Sequence, residues 1–68
     1  MPKTLDELVN ERRDAAVRLH WHLSRAAWAV LGELDLGRTF DGEMLAADRA
    51  RKDWHVAQAG IMAAERGR

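Results

Sequence analysis

The sequence predicts an all-α fold: an antiparallel helical hairpin that homodimerises into a four-helix bundle. Three observations carry this. Two long stretches repeat their apolar residues every three or four positions. A polar, Gly-bounded segment separates them. The first stretch also carries a second apolar stripe that one partner helix is unable to cover. The 68 residues fit a single domain, 1–68. A chain of that size hides only about 60% of the surface its unfolded form exposes.

The first helix is expected over 5–31. Thr4 and Glu7 have the spacing of a capping box, in which the hydroxyl accepts a backbone N–H and the Glu reaches back to the Thr N–H. Asp6 and Glu7 place negative charge where the helix dipole favours it. No breaker follows until Gly32, a C-cap candidate. The apolar line runs Leu5, Val9, Ala16, Leu19, Leu23, Ala26, Val30, interrupted by Arg12, whose stem can lie on apolar surface while its head reaches water.

The connection is expected over 32–41, with Gly37 interrupting it and Asp41 as N-cap of the next helix. Phe40 and Leu45 have the spacing of a hydrophobic staple. The second helix is expected over 42–66, with Gly67 as C-cap. Its line is Ala47, Ala50, Trp54, Ala57, Ile61, Ala64, and Gly60 is a weak point that permits close approach. So many Ala on one seam bring two backbones near, with Trp54 facing the Leu-rich line. The expected core is Leu19, Leu23, Val30, Trp54 and Ile61.

The second stripe of the first helix is Val17, Trp21, Ser24, Trp28 and Leu31, nearly opposite Leu19 and Val30. A helix apolar on two sides is buried on two sides, which argues for self-association. Trp21, Trp28, Val17, Leu31 and Trp54 are therefore the expected interface residues.

Composition excludes several classes of function. No Cys is present, so disulfides, thiolate metal sites and a Cys nucleophile are out. Eleven basic and eleven acidic residues balance, which removes the basic field that non-specific binding of a polyanion needs. No apolar run approaches the ~20 residues of a membrane span, and the expectation is a cytoplasmic protein without membrane contact. His20-Trp21-His22 suggests a metal, but residues two apart on a helix point about 200° apart, and no His pair has chelating spacing. No metal and no cofactor are expected. Ser24, the sole Ser, lies within a helical stripe rather than on a strained turn. Glu33, Asp35, Asp41 and Glu43 form an acidic group whose default is solvent exposure. No catalysis is expected.

Nucleic acid is the rival reading. Arg18 and Arg25 share an edge of the first helix, and Arg49, Arg51 and Lys52 cluster on the second. Arg18, Arg25, Arg49 and Lys52 are the candidate contacts to nucleic acid or an acidic partner. Against this, Asp14–Arg18 and Asp48–Lys52 have the i,i+4 spacing of surface ion pairs. In helix length and seam spacing the pattern resembles the plasmid-encoded repressor-of-primer family, short hairpins that dimerise into a bundle and bind paired RNA loops. No motif matches, so the resemblance implies no residue roles. The expected function is a small non-catalytic interaction or regulatory protein that self-associates and docks a protein partner through its helix faces. The alternatives are an RNA- or DNA-binding accessory protein of plasmid or phage type and a metal-binding bundle.

Overall fold

The computed structural model describes residues 3–32 and 40–67. Two helices of 26 residues each, α1 (Leu5–Val30) and α2 (Asp41–Arg66), pack along one another. Their direction follows from the contacts: Leu8 meets Gly60, Arg12 meets Gln58, Arg18 meets Asp53 and Arg25 meets Glu43. One number rises as the other falls, so the hairpin is antiparallel. It is a rod of 50 × 17 × 13 Å, two helices wide and one helix thick.

The helix ends follow their local chemistry. Thr4 caps α1 by accepting the Glu7 N–H at 3.1 Å. The expected return bond differs: the Thr4 hydroxyl donates to the Glu7 carboxylate at 3.2 Å. α1 stops at Val30, one residue before the expected end, and Leu31 is its cap. Gly32 follows at φ +84°, a conformation that favours glycine, and its N–H satisfies the Ala29 carbonyl at 3.1 Å. α2 begins one residue earlier than expected. Phe40 holds the cap position with helical dihedrals and no side-chain bond, so Asp41 is the first helical residue rather than the cap. Leu45 is 57% exposed, so the expected staple is not a buried pair. Gly67 ends α2 as expected, its N–H donating to the Ala63 carbonyl at 3.1 Å. Gly37, Glu33 and Asp35 lie outside the described residues.

Among the described residues the buried core is Ala15, Ala26 and Ala29 from α1 with Ala47, Ala50, Ala57 and Ile61 from α2. The α2 line is the expected one, with Trp54 and Ala64 half-buried within it. The α1 line is not. It runs Leu8, Arg12, Ala15, Leu19, His22, Ala26, Ala29, still alternating by four and three and keeping Leu19 and Ala26 of the expected line, but rotated by part of a turn. Ala16, Leu23 and Val30 are displaced to its flank, where Leu23 is 44% and Val30 62% exposed, so neither is core. The fully buried α1 positions are all Ala, facing the Ala-lined α2 seam. Arg12 and His22 share the line because Gln58 and Glu43 of α2 bind their polar ends.

Candidate functional site

The heptad repeat sorts the surface into two broad faces and two outer edges. On the first face α1 presents Val9, Ala16, Leu23 and Val30, seven residues apart and uncharged. Two grooves of about 380 and 260 Å³ run along this face and share Leu19, Leu23 and Arg51. The larger is also lined by Ala16, His20, Trp54 and His55, the smaller by Met44, Ala47 and Asp48. Asp48 accepts from Arg51 at 2.8 Å and lies 3.1 Å from Lys52 Nζ; these two cations, Arg51 first, hold its carboxyl below the usual range.

The opposite face is crossed by ion pairs. Lys3 meets Glu11 at 2.7 Å. Arg18 bridges Asp14 on its own helix at 3.0 Å and Asp53 on α2 at 3.2 Å. Grooves on this side are lined by these charges together with Val56, Leu8 and Gly60. Toward the loop end, Glu43 receives His22 Nδ1 at 2.5 Å and Arg25 Nε at 2.8 Å. Its side chain is 14% exposed, and these two donors, His22 first, hold its carboxyl below the ordinary value. Arg25 also lies over the Trp21 ring, 4.9 Å from its centroid, and the His22 ring meets Trp21 edge-on at 4.9 Å. A chain of contacts therefore runs from α2 through Glu43 and Arg25 to an outward Trp.

The expected site residues separate. Trp21 and Trp28, each 54% exposed, lie one heptad apart on α1, with Val17 and Leu31 on the adjoining outer edge. Trp54 does not join them: it is half-buried on the α2 seam and lines the groove of the first face. Of the candidate cations, Arg18, Arg25 and Lys52 each hold a carboxylate, while Arg49 is an exposed residue of α2. The i,i+4 pairs Asp14–Arg18 and Asp48–Lys52 form as their spacing suggests. Ser24 donates to the His20 carbonyl at 2.8 Å, a bond along its own helix. His22 faces the seam while His20 lines the opposite groove, and no group of three or more His, Cys, Asp or Glu poised for a metal occurs among the described residues. No described helix is long and apolar enough to cross a membrane.

Sequence reasoning passed over two parts of this surface. Glu43 was grouped with the loop carboxylates, although it stands one helical step before Ala47 on the α2 line, where a carboxylate needs a cation opposite. The Met44–Leu23 groove was hidden because Leu23 was assigned to the core. Comparison with known families, curated proteins and solved structures finds no match for this chain.

Proposed function

We propose that the protein is a small non-catalytic interaction protein that self-associates and docks a protein partner through exposed helix faces. One observation carries the reading. Ile61 is the one large side chain buried among the described residues, while Trp21, Trp28, Val17 and Leu31 are exposed on one side of α1, and Leu23 of α1 and Met44 of α2 are exposed on another face of the hairpin. A hairpin that hides Ala and leaves Trp and Leu outside is half of a core, and contiguous apolar surface on a small soluble chain marks an interaction site. Aromatic anchors steadied by a neighbouring Arg, as Arg25 steadies Trp21, are the side chains that supply most affinity at interfaces.

Light scattering on a size-exclusion column tests self-association. The expected mass is twice that of the chain; a folded monomer would remove this half of the reading. Trp21→Ala and Trp28→Ala are expected to preserve helicity and abolish partner capture. The nucleic-acid alternative draws less support, because a phosphate must displace Asp14 and Asp53 from Arg18 and Glu43 from Arg25. Its test is retention of RNA or DNA at low salt, with affinity falling steeply as salt rises.

A further inference from the structure

We infer that a second copy of this chain covers the broad face bearing Leu23, Met44 and Trp54, in a two-fold arrangement that leaves Trp21 and Trp28 outside. The inference rests on the self-association proposed above and assigns it a surface. Area selects a broad face over an outer edge, and charge and shape then choose between the two broad faces.

The first is area. A side of 50 × 17 Å spans about 850 Å², and a stable complex buries ~800 Å² on each partner. A full-length face-to-face contact therefore reaches the required size, whereas the outer edge carrying Val17 and Leu31 is one helix wide.

The second is charge. The α1 half of this face, Val9 to Val30, has no charged residue in its stripe. The other broad face is crossed by the Lys3–Glu11, Arg18–Asp14–Asp53 and Arg25–Glu43 pairs. Covering those pairs would strip their water without providing new partners. On the α2 half of the chosen face, Arg51 lines both grooves and is paired with Asp48 at 2.8 Å within its own helix. A two-fold axis sets the same patch against itself, so Arg51 of each copy can also reach Asp48 of the other.

The third is shape. The larger groove at Leu19 and Leu23 is also lined by Ala16, a small residue one heptad from a large one. A copy rotated by 180° can place its Leu23 in the depression above Ala16, knob into hole, twice over. The Trp stripes of the two copies then point away from the contact, free for the partner.

The absence of Cys gives a direct test, since a single introduced thiol can cross-link only between copies. Ala16→Cys and Leu23→Cys on the chosen face are compared with Val17→Cys and Trp21→Cys, using a short bismaleimide at micromolar protein. The expected result is about tenfold more covalent dimer from one or both of the first pair, because only residues near the two-fold axis face their own copies. Preferential cross-linking at Val17 or Trp21 overturns the assignment. So does a dimeric sample that cross-links at neither Ala16 nor Leu23. Leu23→Arg supplies a second measurement: it is expected to halve the mass seen by light scattering, and Trp28→Arg to leave it unchanged. The opposite pattern rejects this face and leaves self-association standing. A wild-type chain that is monomeric and helical fails at the earlier step and rejects both.

Discussion

Among the described glycines, Gly60 is the one at which an added side chain would meet the other helix. A Cβ built there would lie 3.0 Å from Leu8 Cδ2 and 3.3 Å from Cδ1. Against that crowding stands the cost of Gly within a helix, about 1 kcal/mol relative to Ala. The obstructing atoms are the tip of a half-buried, rotatable side chain rather than backbone, and a displacement of a few tenths of an ångström relieves the contact. Gly60→Ala is therefore expected to raise stability in denaturant melts, by less than the full ~1 kcal/mol. A loss would mean that Leu8 is held rigidly. Glu43 is the other residue with a decisive environment. Its folded pKa is lowered by His22 and Arg25, so its contribution is present above the ordinary carboxylate range and is lost as the pH falls through the folded value. Thermal melts between pH 7 and about 3 are expected to show a steeper acid loss in the wild type than in Glu43→Gln, which has no charge to forfeit. Equal slopes would show that the His22–Glu43–Arg25 cluster does not couple to folding.

Among the elements, both helices and their antiparallel pairing were legible, because caps, breakers and periodicity act locally. The α2 seam was legible too, because Ala47, Ala50, Trp54, Ala57 and Ile61 recur unbroken by three and four. The α1 seam keeps Leu19 and Ala26 of the expected line but is rotated from it by part of a turn. Leu5, Val9, Leu23 and Val30 are the larger apolar side chains there, and a reading weighted by hydrophobicity selects them. Packing puts Ala15 and Ala29 at buried positions instead, and His22 joins them because Glu43 stands opposite it on α2. That selection has a measurable consequence. Ala50 is 1% exposed at the middle of the contact, and Ala50→Leu would force the helices apart or its own side chain off a favoured rotamer, at a cost of about 1–3 kcal/mol. Denaturant titration checks it. An unchanged midpoint would mean that the helices have room to separate and that the small-residue seam does not set their distance.

The dimensions of the whole molecule show how little one hairpin can hide. Its surface of 5214 Å² exceeds the ~4,300 Å² of a compact monomer of 7.7 kDa, and its radius of gyration of 15.1 Å exceeds the ~11 Å of a globule of 68 residues. A rod one helix thick has a seam but no interior. Each Ala methyl in that seam contributes only ~0.8 kcal/mol on the methylene scale, against an ordering cost of about 1–2 kcal/mol for every residue fixed. On the proposed self-association, folding draws on surface buried between copies as well, and its midpoint then depends on concentration. The size of the effect follows from the unfolding entropy. A dimer of two 68-residue chains loses on the order of 0.29 kcal/mol per kelvin near 60 °C at ~2.1 cal/mol/K per residue. Tenfold dilution removes ~1.4 kcal/mol of association free energy. The melting temperature is therefore expected to fall by about 5 °C for each tenfold dilution, and by about 10 °C across a hundredfold series followed by circular dichroism. Leu23→Arg should melt lower than the wild type and lose that dependence. A midpoint that stays fixed across the hundredfold series in the wild type would show a hairpin stable by itself, and the exposed Leu23 and Met44 would then have no part in holding the fold.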